Sequence, residues 1–555
     1  MSNHSGDSLL SRESTLEVFS LNRDNANSGS AEDDSETSDR EILGWYLFGA
    51  AAEPFFSVCS SIFGPLVIQS RARNVAVQTI DYLTPCNVSD PNYSCVVLVG
   101  GLRIDPTAFS LYGTVVSVFL QLLVFVTLSA AADYGADRKK LLLMSSVTGL
   151  ILEYAWLTIT RDSQYWIASV LSILGNVAFG VAFVIYLSYL PIMTRNHPSV
   201  REAMSRGPMD SGKESVALTV SNKISSKAFV WSYMSAVIVI VLGAGAAMFL
   251  GNTIYSLQIA IALGAVWGTI FMFPAFSMLK ARPGPPFPEN ENYWLFGWKR
   301  TINTLSKARD LPSLFYMLAV WFCVSDAMGT LGSLAILFAS KELNASQATL
   351  ALLALEVYVF GVFGAIFFTF VQKTFKVSTW RMLFAVQCGC FVVPVWGGLG
   401  LVPGSPIGLR TLNEFVIISA WYGFMLSAQQ SFSRVLYADM VPVGKESEFF
   451  ALYEVSDKGS SWIGPLISAA ATDLTHNNRY AFLFLIPLML AGQFFMLRVD
   501  PAAAKVEAST ILNRPEYKQS STSNVPIITN SVDGKGPMPV GPTVRITRSA
   551  LSSTV

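Results

Sequence analysis

Residues 44–68 read GWYLFGAAAEPFFSVCSSIFGPLVI, a run with a single charge, Glu53. A helix needs about 20 mostly apolar residues to cross the hydrocarbon core of a bilayer, and this stretch supplies them. Similar windows recur along the chain: 42–70, 107–132, 141–160, 165–190, 228–250, 255–278, 313–339, 348–371, 380–402, 414–436, 448–471 and 480–497. The 555 residues are 52% hydrophobic and 14% charged, where a soluble chain carries about 25% charged residues. These observations predict an all-α polytopic membrane protein with twelve transmembrane helices. The net charge of zero gives no footing for a nucleic-acid partner.

Residues 1–40 are polar and acidic (AEDDSETSDRE at 31–41) and contain no signal peptide, so they predict a disordered cytosolic tail. Residues 499–555, rich in Pro, Ser, Thr and Asn, predict a second one. Between them lie an N-terminal six-helix half (41–278), a proline-bearing linker (279–312) and a C-terminal six-helix half (313–498). With both termini cytosolic, the cytosolic loops hold 19 Lys and Arg and the opposite loops 7, the bias that orients membrane proteins. Arg71 and Arg73 lie on the unfavoured side. The sequons at Asn87, Asn92 and Asn344 fall in non-cytosolic loops and mark candidate glycosylation sites. Cys86 and Cys95 bracket two of them, where a disulfide competes with two free loop thiols.

A six-plus-six pattern is typical of secondary transporters built from repeats. In the first window Glu53, Ser57, Ser60, Ser61 and Gly64 share one α-helical face, and in the seventh Asp326, Gly329, Thr330 and Ser333 do. Carboxylates at bilayer depth are expensive and mark substrate or ion paths, so Glu53, Asp326 and, in the eighth window, Glu356 are candidates for binding substrate or protons. The alternative for each is a structural hydrogen bond across a helix interface. Pro54, next to Glu53, frees the carbonyl of Ala50.

A second set suggests a gate or helix-contact network. SAAADYGADRKK (129–140) approximates the loop motif G-x-x-x-D-x-x-G-x-R-[KR] of the major facilitator superfamily, with Ser129 and Ala136 in place of its two glycines. Asp133 there is suited to dock on a helix N-terminus, with Arg138 holding it in register or facing headgroups. In LYEVSDKGSSWIGPL (452–466), Glu454 and Lys458 are placed to pair at i, i+4. Asp457 then seeks a partner elsewhere, with Lys227 a candidate. Ser-x-Lys-x-x-x-Trp occurs both at Lys227/Trp231 and at Lys458/Trp462, as a repeat or by coincidence. Lys227 alternatively snorkels, Trp231 and Trp462 alternatively pack, and Arg434 is an anchor or gate partner. No Cys/His cluster has metal-ligand spacing, and His4, His197 and His476 sit in tails or loops. No nucleophile–base set, metal or cofactor is therefore expected, and the chain does not read as an enzyme.

GWYLFGAAAEPFFSV (44–58), AVWFCVSDAMGTL (319–331), TDLTHNNRYAF (472–482) and especially GKESEFF and SDKGSSWIGP within 444–465 resemble the autophagy-related protein 22 family of fungi. The resemblance covers about 41–498 and implies the major facilitator fold. It also implies a vacuolar membrane exporter of amino acids, leucine and other neutral ones, to the cytosol after autophagic degradation. Possible partners are then an amino-acid substrate, protons and the bilayer. A charged core of both signs suits a zwitterion. The competing reading is a membrane scaffold or receptor in autophagy without transport.

Overall fold

The computed structural model of the chain describes residues 35–512, apart from 80, 87–94, 105, 136, 206–215, 252, 285, 286, 288–290, 307, 344–346, 443, 444, 462 and 464–478. The N-terminal half contains α1 (Asp39–Pro54), a π-helical segment (Phe55–Phe63), α2 (Gly64–Val75), α3 (Pro106–Ala132), α4 (Arg138–Ala155), α5 (Tyr165–Arg195), α6 (Pro198–Ser205), α7 (Val216–Phe249) and α8 (Ile254–Met278). A linker helix, α9 (Tyr293–Ser306), leads to the C-terminal half. That half contains α10 (Pro312–Glu342), α11 (Gln347–Phe375), α12 (Thr379–Cys390), α13 (Val392–Leu399), α14 (Leu412–Met440), α15 (Glu446–Ser460) and α16 (Arg479–Met496). The last described helix is α17 (Pro501–Leu512).

Among the described residues nine helical stretches are long and apolar enough to cross a membrane. Helices α3, α14 and α15 occupy the other three expected windows but fall short on that measure. In α3 the apolar described stretch is only Tyr112–Leu128. Helix α14 turns Gln429, Ser431, Ser433 and Arg434 inward, and α15 carries Glu446, Glu448, Glu454, Asp457 and Lys458 within one short helix. Ser431, Arg434 and Glu446 spend this polarity on contacts with the N-terminal half. Large apolar side chains such as Phe249 (90%), Phe273 (83%) and Phe370 (63%) stand exposed on the outside, a belt that requires a bilayer as its solvent.

Two features depart from simple α-helical reading. Pro54 cannot donate to the helix ladder, and the freed Ala50 carbonyl accepts from the Trp267 indole at 3.2 Å. The π turn follows directly, with the Gly64 amide reaching back to the Cys59 carbonyl. Its wider turn breaks the expected polar face: Ser57 and Gly64 are buried in packing while Ser61 is exposed. A three-stranded antiparallel sheet, not foreseen from the sequence, caps the far end of the N-terminal half: β1 (Val77–Gln78), β2 (Cys95–Val99) and β3 (Leu102–Ile104), in that order. The Cys86–Cys95 disulfide forms beside it, with Cα atoms 5.8 Å apart. Asn87, Asn92 and Asn344 lie outside the described residues.

Arg71, on the unfavoured side by charge count, is buried and held by three partners through its terminal nitrogens. It meets Asp162 at 3.0 Å, Gln258 at 2.8 Å and the Ile159 carbonyl at 2.7 Å. The expected tail boundaries also shift. Arg282 clamps Glu41 through two bonds of 2.9 and 2.7 Å, pinning the approach to α1. Helix α17 stands where a disordered tail was expected. Ala504 and Ala508 are buried, Lys505 pairs with Asp439 at 2.7 Å, and Glu507 accepts from Ser313 at 3.0 Å.

Candidate functional site

The halves meet through α7 with α11 and α14, and through α3 and α5 with α15. Between them lies an interior that carries both signs of charge. Glu53, on α1, is partly exposed, and the cations acting on it are Arg434 of α14 and Lys458 of α15. Tyr186, Tyr233 and Tyr358 also face Glu53. The Tyr233 and Tyr358 rings meet edge to face at 5.3 Å across the halves. Tyr422 donates to the Met328 carbonyl at 2.8 Å, and Tyr453 stacks on Trp321 at 4.6 Å. These tyrosines supply hydroxyl donors on apolar bodies, the mixture a small zwitterion with an apolar side chain requires.

The pairing in α15 differs from expectation. Lys458 pairs with Asp457 at 3.1 Å, not with Glu454, and Asp457 also accepts from Ser325 of α10. Ser325 draws Asp457 toward the interior, and Lys458 follows it. Lys227 is exposed, as is Trp231, so Lys227 is not the partner of Asp457 and the two lysines of the suspected repeat occupy unlike environments. Trp462 lies outside the described residues. Asp326 is buried in α10, near the exposed backbone of Gly329. Glu356 stands apart, half-buried and accepting from Ser419 at 2.8 Å.

At the end carrying both termini the interior is shut. Asp133 accepts the amide of Ser447 at 2.8 Å and that of Glu448 at 3.0 Å, while Arg138 grips it at 3.0 Å. The aspartate thus caps the N-terminus of α15 from the opposite half, where both free amides and the helix dipole favour an anion. Burial pushes its carboxyl up to about 6, against the opposing pull of Arg138, Arg300 and the Ser447 amide. Arg195 pairs with Glu446 at 3.2 Å, Ser188 meets Ser447 at 3.1 Å, and Arg300 of the linker helix pairs with Glu448.

The second closure runs along α7 and α14. The Arg434 guanidinium donates to the Ser225 hydroxyl at 3.0 Å and lies 4.6 Å from the Phe229 ring centre and 5.2 Å from that of Trp45. Ser225 and Ser226 meet Ser431 at 3.0 and 3.2 Å, and Asn222 meets Thr379 at 2.6 Å. These bonds place Arg434 among contacts that join the halves.

The comparisons with known proteins agree with this architecture. The profile of the family described as "Vacuole effluxer Atg22 like" matches residues 37–509. The chain belongs to that family. Autophagy-related protein 22 of Coccidioides immitis is 31% identical, over 89% of this chain and 92% of its own. Its counterpart in Gibberella zeae is 32% identical, over 82% and 78%. Among solved structures, the human organic anion transporter MFSD10 superposes with a TM-score of 0.56 at 12% identity, over 82% of this chain and 98% of its own. The major facilitator transporter FucP in its outward conformation reaches 0.54, also at 12% identity, over 83% and 99%. Family and fold together make the chain a multi-pass membrane transporter with the major facilitator fold.

The tyrosines of the site, and one buried carboxylate outside it, were missed from sequence. The tyrosines are spread over α5, α7, α11, α14 and α15, and their one common signal was a polar-tipped ring within an apolar window. Glu153 of α4 is buried in the N-terminal half with Oε1 unpartnered. It fell within an apolar window, in LILEYAW (150–156), which should have marked it beside Glu53.

Proposed function

We propose that this transporter exports leucine and other neutral amino acids from the vacuolar lumen to the cytosol, by alternating access of twelve spans arranged six plus six, with both termini cytosolic. The charge bias of the loops sets the sidedness. The closed end is then cytosolic, and the described state is one in which substrate would enter from the lumen. The observation that carries the reading is the opposition of Glu53 in one half to Lys458 and Arg434 in the other. An amino acid placed between them offers its ammonium to Glu53 and its carboxylate to Lys458, so its binding links the two halves that must move. Tyr186, Tyr233 and Tyr358 surround the apolar side chain. Export coupled to protons leaving an acidic lumen is part of the proposal, with Glu53 and Asp326 as carriers. Asp133, Arg138, Arg434 and the Asp457–Lys458 pair form the gate network.

Counterflow of labelled leucine into proteoliposomes of the purified protein tests this directly. Uptake that requires internal unlabelled leucine, and that Glu53→Gln lowers at least tenfold, is expected. Folded protein showing no counterflow with any amino acid would reject transport and favour a scaffold role in autophagy. If transport by Glu53→Gln and Asp326→Asn keeps its full pH dependence, neither residue carries the proton.

A further inference from the structure

A second carboxylate lies outside the interior just described. Helices α4, α5 and α8 and the π segment enclose a small cavity lined by Cys59, Ser60, Glu153, Trp156, Ser172 and Ile261, among others. Glu153 is 3% exposed, and its Oε1 has no hydrogen-bond partner. The titratable group facing it is the Cys59 thiol, from the π segment. α5 adds Ser172 and α8 adds Ile261 to the cavity wall, Gly264 of α8 lies beside Glu153 Oε1, and no cation lines the cavity among the described residues. Arg71, at the sheet end, is committed to Asp162, Gln258 and the Ile159 carbonyl. Gln258 in turn holds the Trp156 carbonyl at 2.6 Å, which anchors one wall of the cavity.

An ionised carboxylate without a cation or a full set of donors is strongly disfavoured in such surroundings. Its neutral form needs one acceptor and a little room, and the cavity offers both. The π segment is the remaining clue. A π turn is a local register fault, frequent at functional sites and able to migrate or relax. Here it starts two residues after Glu53 and carries Cys59 and Ser60 into the wall of the cavity. Ser60 also bonds Asn176 at 2.7 Å, tying the turn to α5.

We propose that Glu153 is a proton-binding site of its own, holding a proton in the closed cavity and exchanging it with lumenal water when the π segment rearranges. The step is proton binding alone: one carboxylate oxygen takes a proton from water that reaches the cavity and later returns it. No other bond changes. The link to transport rests on the reading above, whereas the protonation itself does not.

Infrared difference spectra of the purified full chain in lipid nanodiscs, recorded across a pH step and in heavy water, test the protonation. The wild type is expected to show a protonated-carboxyl band near neutral pH that Glu153→Gln removes and Cys59→Ala shifts in frequency. Spectra of wild type and Glu153→Gln that overlay in the carboxyl region would overturn the proposal. If Glu153→Gln fails to fold, a wild-type carboxyl band unmoved by Cys59→Ala overturns it equally. In proteoliposomes, Glu153→Gln is expected to keep leucine counterflow while its dependence on lumenal pH falls at least threefold. A wild type without counterflow refutes the transport reading while the infrared result still decides the proton site.

Discussion

Replacing Asp133 by asparagine should loosen the closure at the end carrying both termini. The carboxylate accepts two amides at the start of α15 and the guanidinium of Arg138. Asparagine keeps one acceptor oxygen, so one buried amide is left unpaired and Arg138 loses its counter-charge. Losing a helix cap costs about 0.5–2 kcal/mol, and leaving a buried polar group unsatisfied costs about 1–3 kcal/mol. These overlap, and about 2–3 kcal/mol is a fair total for the closed state. In the open state Asp133 is separated from α15 and the change is nearly neutral. The open-to-closed ratio should therefore rise roughly 30- to 150-fold. Cysteine placed at Ser226, buried beside Ser431 in the second closure, reports the opening through its labelling rate with a membrane-impermeant maleimide. The assay uses a background in which Cys59, Cys323, Cys388 and Cys390 are alanine. Asp137→Asn is the control, because Asp137 is exposed and its side chain's ion-pair partner among the described residues is the exposed Lys140, at 4.0 Å. Equal labelling rates for Asp133→Asn and its parent, in protein of unchanged melting temperature, would refute the capping argument.

Lys458→Met should raise the KM for leucine in counterflow roughly 10- to 150-fold by removing a charged partner worth about 1.5–3 kcal/mol, and an unchanged KM would exclude Lys458 from the site. Gly364→Ala should lower stability by about 1–3 kcal/mol, because a Cβ there would lie 2.0 Å from the Phe424 carbonyl oxygen. Thermal unfolding in detergent reads it, and an unchanged melting temperature would mean that α11 and α14 are further apart than described.

What could be read from sequence followed physical range. Hydropathy is local, so the all-α membrane fold was legible. The docking of Asp133 on a helix N-terminus was also legible, because a loop aspartate beside Arg138 has few other roles. Which helix it docks on was not, since Ser447 is 314 positions away. The polar face of the first span failed for a different reason. An α-helical period was carried through Phe55–Phe63, and the π turn there shifts every later residue around the axis. The Glu454–Lys458 pairing failed because an i, i+4 rule describes an isolated helix surface, whereas Ser325 from α10 decides where Asp457 points. The sheet escaped notice because its strands are only two, five and three residues long.

The two closures at the end carrying both termini are chemically unlike, and this bears on how the proposed gate is tuned. Between α3, α5 and α15 the contacts are ionic: Asp133 at a helix end, Arg195 with Glu446, and Arg300 with Glu448. At the equivalent loop of the other half, 372–381 contains no carboxylate, and Asn222, Thr379 and Gln372 make neutral bonds instead. A neutral hydrogen bond contributes about 0.5–1.5 kcal/mol and exchanges readily for water, and Arg434 on this side meets a serine hydroxyl and aromatic rings rather than a carboxylate, so this seam is the weaker of the two. The ionic side responds to pH and salt, and through Arg300 it is tied to the linker helix. Alternating access needs two states within a few kcal/mol of each other. A gate charged on both sides would resist opening, and one neutral on both would barely hold against lumenal entry of substrate. One strong latch opposite one weak seam meets both demands. In the proposed cycle, opening begins with the release of Asp133 from α15, the helix that also carries Lys458, so a substrate placed at Lys458 and the latch at Ser447 would act on the two ends of a single helix.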